Sequence, residues 1–103
     1  MSLIITSNNN NPSICIPRVY SSITKKNIIE IFQYKLKFGV IKRIEMIQSN
    51  NKNYIKIFIH FHYWNNDDIN INTIKDKLLL GKVIKIVYDF PSFWKCSLYN
   101  PSL

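Results

Sequence analysis

Alanine does not occur in this sequence, and carboxylates, glycines and cysteines are few. The chain of 103 residues has six Asp and Glu residues against 14 Lys and Arg residues, so its formal net charge at pH 7 is +8. A surplus of positive charge on this scale favours binding to nucleic acid or to other acidic surfaces. The two glycines, Gly39 and Gly81, each stand alone, which excludes a glycine-rich phosphate-binding loop.

Apolar side chains are abundant but interrupted. They make up 47% of the chain, which argues against disorder and, at this length, for one small domain. Their uninterrupted runs reach only three or four residues, too short for a membrane-spanning helix. The apolar N-terminal stretch is also too short for a secretory signal. We therefore expect an intracellular protein, not secreted, in which Cys15 and Cys96 remain free thiols.

The pattern of apolar and polar residues predicts six elements. The clearest is a strand at 54–64, where Ile55, Ile57 and Ile59 alternate with polar or aromatic residues. Thr24 is a suitable N-cap for a first helix, and Gly39 is expected to end it. In chain order, the predicted elements are a strand over 13–19, a helix starting at 25, strands over 40–48 and 54–64, a helix starting after 68 and closed by Gly81, and a strand over 83–88.

This order, β-α-β-β-α-β, predicts an α+β fold of the ferredoxin-like sandwich type. Such a fold has a four-stranded antiparallel sheet with two helices on one face. The predicted organisation is a flexible polar tail at 1–12, the domain at 13–91 and an aromatic C-terminal extension at 92–103.

Two segments resemble a known family. Residues 14–19 fall where the RNA recognition motif (RRM) has its first-strand hexamer, and residues 54–61 fall where it has its third-strand octamer. The resemblance covers about 13–91 and implies an RRM-like sandwich that binds single-stranded RNA or DNA on its open sheet face. More narrowly, residues 58–64 and 93–95 resemble uncharacterised RRM-like proteins of giant DNA viruses. That resemblance implies a viral protein acting in the host cytoplasm, the viral factory or the virion.

The family stacks bases on three aromatic positions, and this chain keeps one of them. Cys15 and Lys56 replace two of the aromatic residues, whereas Phe58 is retained. Since each stacked base contributes about 1–3 kcal/mol, the two replacements remove roughly 2–6 kcal/mol. We therefore expect nucleic-acid binding of low sequence specificity.

The predicted binding residues combine cations with aromatic rings on one face of the sheet. Cations meet phosphates and rings stack on bases in single-stranded nucleic-acid sites. The alternative is an ordinary solvated face whose lysines keep an isoleucine-rich protein soluble. The candidate nucleic-acid-binding residues are Arg43, Tyr54, Lys56, Phe58, His60 and Lys85.

A second function class also fits the sequence. The missing aromatic positions and the aromatic ending favour a protein-interaction or homo-oligomeric assembly module, with a second copy or another viral protein as partner. Phe93 and Trp94 are the candidate anchor residues for that partner. The alternative is that this aromatic ending folds back as an additional layer of the core.

Neither catalysis nor a cofactor is predicted. No serine, histidine and acid stand in a recognisable motif, so we expect a protein that is not an enzyme and has no small-molecule substrate. His60 and His62, with Cys15 on the neighbouring strand, are residue types that bind zinc. A fourth ligand is not evident, and strand alternation explains both histidines, so no metal site is predicted.

Overall fold

The computed structural model describes residues 11–101. It confirms an α+β fold with two helices and an antiparallel sheet. The elements are β1 (Ile14–Tyr20), α1 (Lys25–Ile29) continued by a π-helical segment (Glu30–Lys35), β2 (Gly39–Gln48), β3 (Tyr54–Trp64), α2 (Ile69–Leu79), β4 (Ile84–Asp89) and β5 (Ser92–Leu98).

The sheet has five strands in the order β2-β3-β1-β5-β4. The prediction of four strands is wrong because the expected extension at 92–103 begins with β5. This strand turns back from β4 after the cis Phe90–Pro91 peptide and lies between β4 and β1. Its signal is present in the sequence, since buried Trp94 and Cys96 alternate with exposed residues. Pro91 lies in the turn between β4 and β5.

Three of the four residues that were expected to begin or end a helix have that role. The Thr24 side chain accepts a hydrogen bond from the Asn27 backbone N–H, and Asn27 Oδ1 accepts one from the Thr24 backbone N–H, forming a capping box. Asp68 caps α2 by accepting hydrogen bonds from two backbone N–H groups. Gly81 follows α2 with φ +83°, a left-handed conformation that glycine adopts without steric cost.

Gly39 has a different role from the predicted helix stop. The residue in the left-handed conformation after the first helix is Lys37, with φ +57°, and Gly39 is already the first residue of β2. A Cβ at this position would lie 2.2 Å from the carbonyl oxygen of Tyr63. Glycine is therefore needed here so that β2 can approach β3 closely.

The core is a single layer between the sheet and both helices. Alternate residues of the strands pack there against Ile28 and Phe32 of the first helix and Ile71 and Leu78 of α2. Trp94 belongs to this layer: it is 2% exposed and stacks between Phe32 and Tyr88, with centroid distances of 6.1 and 4.1 Å. Trp94 therefore lies in the core, and its interpretation as an exposed partner anchor is wrong, whereas Phe93 is 40% exposed.

The N-terminal side of the domain is anchored on Trp64. The backbone N–H and indole Nε1–H of Trp64 donate to Asn11 Oδ1 and to the Pro12 carbonyl oxygen, at 3.1 and 2.8 Å. Residues 1–10 of the predicted tail lie outside the described residues, whereas Asn11 and Pro12 are packed against β3. Across residues 11–101, neither helix has the length and apolar character needed to span a bilayer.

Candidate nucleic-acid interface

The sheet face opposite the helices is built from the residues that alternate with the core. One row crosses four strands in register, from Glu45 through Phe58 and Cys15 to Ser97. Burial raises the pKa of the Cys15 thiol, and nearby Lys56 and a hydrogen bond to Ser97 oppose that shift only in part. The thiol is therefore protonated at neutral pH and is not a nucleophile.

One half of this face is covered by the chain's own residues, and we call it the sealed half. The ring of Tyr99 packs on Phe58 with centroids 4.5 Å apart and meets His60 edge-on at 5.3 Å. His60 is 8% exposed. The rings of Phe58 and His60 are therefore already in contact with the Tyr99 ring. The sealed half consists of Ser13, Glu45, Phe58, His60 and Tyr99.

A hydrogen-bonded chain fixes His60 in the sealed half. Its Nδ1 lies 2.7 Å from Ser13 Oγ, and its Nε2 lies 2.5 Å from Glu45 Oε1. Because a carboxylate only accepts hydrogen bonds, Nε2 carries a proton, and in the neutral ring Nδ1 accepts from the Ser13 hydroxyl. The bond from His60 lowers the pKa of Glu45, with a further contribution from Arg43, whose guanidinium lies 3.8 Å away.

Sequence reasoning missed this serine, histidine and carboxylate because they lie far apart along the chain. Ser13 and His60 are separated by 47 residues, and His60 and Glu45 by 15. In acyl transfer such an array activates a serine hydroxyl against a substrate carbonyl. Here the array joins the start of β1 to β3 and β2, and it holds His60 beneath Tyr99.

The other half of the face carries cations and rings, and we call it the cationic half. Arg18 Cζ lies 4.1 Å from the centroid of the Tyr54 ring, which also stacks on Tyr20 at 5.3 Å. Lys85 Nζ lies 4.3 Å from the Phe93 ring centroid. These contacts hold the cations over aromatic rings. The cationic half consists of Arg18, Tyr20, Tyr54, Lys56, Lys85, Phe93 and Lys95.

Two lysines of the cationic half face each other directly. Lys85 on β4 and Lys95 on β5 are register partners, and both are exposed. Like charges placed opposite each other on neighbouring strands destabilise a sheet. An anion such as a phosphate between or beside them would remove that repulsion.

A slot opens within the cationic half where β1 and β5 separate. Among residues 11–101, their register pairs are confined to Ile14 with Leu98 and Cys15 with Ser97. Beyond these pairs lies a cavity of about 380 Å³. Arg18, Tyr20 and Tyr54 line one side, and Tyr88, Phe93 and Trp94 line the other.

The predicted site residues divide between the two halves. Tyr54, Lys56 and Lys85 lie in the cationic half, together with Phe93. Phe58 and His60 lie in the sealed half, and Arg43 lies beside it in contact with Glu45. Sequence reasoning missed Arg18, Tyr20 and Lys95. The register shift between Ile16 and Val19 changes which β1 residues face outward, and simple alternation does not reveal such a shift.

Comparisons with known proteins add nothing to this geometry. No family model, curated protein or solved structure matches the chain.

Proposed function

We propose that the protein binds single-stranded RNA or DNA with low sequence specificity, through the cationic half. The observation that carries the proposal is the opposed pair Lys85 and Lys95, beside a third cation, Arg18, that is stacked on a ring. Glu45, the acid on β2 of this face, is already bound to His60. The cations of this half can therefore contact phosphates, and Phe93, which is 40% exposed, offers a ring to a base.

The proposal includes membership of the RRM-like family. It is supported by the resemblance of residues 14–19 and 54–61, which fall on adjacent central strands β1 and β3. In this view the sandwich has gained one strand, with β5 beside β1 and β4 moved to the edge. The proposal extends to an intracellular viral protein without enzymatic activity, on the sequence features described above.

The first test is a titration of labelled ten-nucleotide RNA, single-stranded DNA and duplex DNA, followed by fluorescence anisotropy. Four cations on a single strand predict a slope of about −3 in the plot of log affinity against log salt. Binding to the single strands should fall by roughly 50-fold between 50 and 200 mM salt. Absence of binding to both single strands at 50 mM salt would overturn the proposal.

A matched pair of double variants separates the contribution of this surface to binding from the contribution of net charge. Arg18→Glu combined with Lys56→Glu should weaken binding by roughly 50-fold at 50 mM salt, because two of the four cations of this surface are lost. The control is Lys25→Glu combined with Lys35→Glu, which makes the same charge change on exposed positions of the first helix. Equal losses in the two double variants would show that charge alone drives association.

Assembly is a second candidate function because the sheet edge formed by β4 carries exposed apolar residues. β4 is the edge strand, and Val83, Val87 and Phe90 at this edge are 61%, 52% and 86% exposed. An exposed apolar edge strand is a template for pairing with another chain. Light scattering should then show a dimer that Val87→Lys dissociates, whereas a monomer at all concentrations would rule out self-assembly.

A further inference from the structure

We propose that the slot between β1 and β5 is a guanine-binding subsite that gives an otherwise unspecific surface its base preference. This inference rests on the proposed binding of single-stranded nucleic acid. It extends that proposal by naming the base and the residues that recognise it, and the slot lies away from Phe58, the stacking position retained from the family pattern.

The size and walls of the slot suit one base. Its volume of about 380 Å³ is at the lower end of the range for small-ligand sites. Tyr54 and Phe93 both line the slot, and because Tyr54 is already packed against Arg18 and Tyr20, Phe93 is the ring on which an inserted base can stack. Lys56 and Lys95, on the strands that bear Tyr54 and Phe93, are exposed and available to the flanking phosphates.

The hydrogen-bonding groups of the slot favour acceptors on the base. Arg18 is stacked on Tyr54 and has no hydrogen bond or ion pair with any of residues 11–101, so its N–H groups are available. The Nε1–H of Trp94 is buried and has no partner among the described residues. Arginine and tryptophan only donate hydrogen bonds, and the described lining of the slot contains no carboxylate.

Guanine is the base that matches this set of donors. Its N7 and O6 are adjacent acceptors and accept two hydrogen bonds from one guanidinium. Adenine and cytosine place an amino donor where Arg18 also donates, and uracil offers a single acceptor on that edge. A base that enters far enough to reach Trp94 Nε1 also gives that buried donor the partner it lacks.

The test uses uridine decamers in which one central position is uridine, adenosine, guanosine or 7-deazaguanosine. Guanosine should bind more tightly than adenosine, by between about 5-fold and 150-fold, the range for one bidentate contact. The 7-deaza analogue lacks the N7 acceptor and should lose most of that advantage. Equal affinities for guanosine and adenosine would overturn the inference.

Two arginine variants test whether Arg18 is the residue that produces the preference for guanosine. Arg18→Lys keeps the charge and the salt dependence but loses the planar pair of donors, so the guanosine advantage should disappear. Arg43→Lys, the same change beside the sealed half, should retain it. Retention of the preference in Arg18→Lys also overturns the inference, while salt-dependent binding of all decamers leaves the proposed function intact. Failure of the wild type to bind any decamer overturns both.

Discussion

The two halves of the helix-free sheet face are built on the same central strands but differ in whether their polar groups are satisfied. In the sealed half, His60 has hydrogen-bond partners on both ring nitrogens, and Tyr99 packs against Phe58. In the cationic half, Lys85 and Lys95 face each other without an acid between them. One face of the sheet therefore contains a part whose polar groups pair with one another and a part in which two lysines oppose each other.

The ends of the described chain produce this difference. The Tyr99 backbone N–H donates to the Ser13 carbonyl oxygen at 2.9 Å, so the residue after β5 is held beside the residue before β1. This contact places the Tyr99 ring over the third strand and the Ser13 hydroxyl on His60. At the opposite end of β5 the two strands separate, and the slot with Arg18 remains open. Strand pairing at one end thus places Tyr99 over Phe58, and strand separation at the other end leaves the slot.

The largest expected effect tests whether the sealed half is structural. His60→Ala should reduce the free energy of unfolding by about 2–4 kcal/mol, because two hydrogen bonds are lost and one of them is to a carboxylate. Nucleic-acid affinity should change less than two-fold. Urea unfolding followed by circular dichroism, together with the anisotropy titration, measures both quantities.

His62→Ala is the control for that substitution, since His62 lies two residues further along β3 and is exposed. It should change stability by no more than a few tenths of a kcal/mol. If His60→Ala abolished binding while leaving the unfolding curve in place, the sealed half would itself be a ligand site.

The next prediction concerns a substitution with opposite effects on stability and binding. Lys95→Gln removes the repulsion with Lys85 and should raise stability by a few tenths of a kcal/mol at low salt, with no gain at high salt. The same change should weaken binding by about 8-fold at 50 mM salt, because one phosphate contact is lost. Thermal unfolding and anisotropy at two salt concentrations measure both effects.

The matched control is Lys52→Gln, a change of the same charge in the exposed loop between β2 and β3. It should leave both measurements nearly unchanged. A decrease in stability for Lys95→Gln at low salt would mean that the opposed lysines are already screened from each other.

Local patterns in the sequence predicted most elements of the fold but not the partition of the sheet face. The cap at Thr24, the strand at 54–64 and the turn at Gly81 depend on neighbouring residues, and all three occur as predicted. The position of β5 depends on pairing with β1, whose start lies nearly 80 residues earlier in the chain. The cover over Phe58 likewise depends on Tyr99, which a pattern confined to β3 cannot reveal.

A smaller effect is expected from uncovering Phe58. Tyr99→Ala should lower stability by about 1–2 kcal/mol, since two ring contacts, with Phe58 and with His60, are lost. It should also strengthen binding to single-stranded RNA by about 5-fold. The uncovered Phe58 ring adds one stacking position, and the entropy lost in ordering the stacked base reduces that gain. Tyr63→Ala, at an exposed position of the same strand, is the control and should not strengthen binding. Weaker binding in Tyr99→Ala would instead place Tyr99 among the contacts.

The smallest expected effect is a dependence of stability on acid pH that arises in the sealed half. The pKa of Glu45 is lowered in the folded protein, first by the hydrogen bond from His60, from an ordinary value of 4.5. Its contribution is therefore fully present above about pH 4.5 and is lost as pH falls through the lower, folded value. Urea midpoints measured from pH 6 to pH 3 should decline less steeply in Glu45→Gln than in the wild type. Asp76→Gln, on exposed α2, should follow the wild-type slope. Identical slopes in wild type and Glu45→Gln would mean that Glu45 remains charged over this whole range or that its bond to His60 does not stabilise the fold.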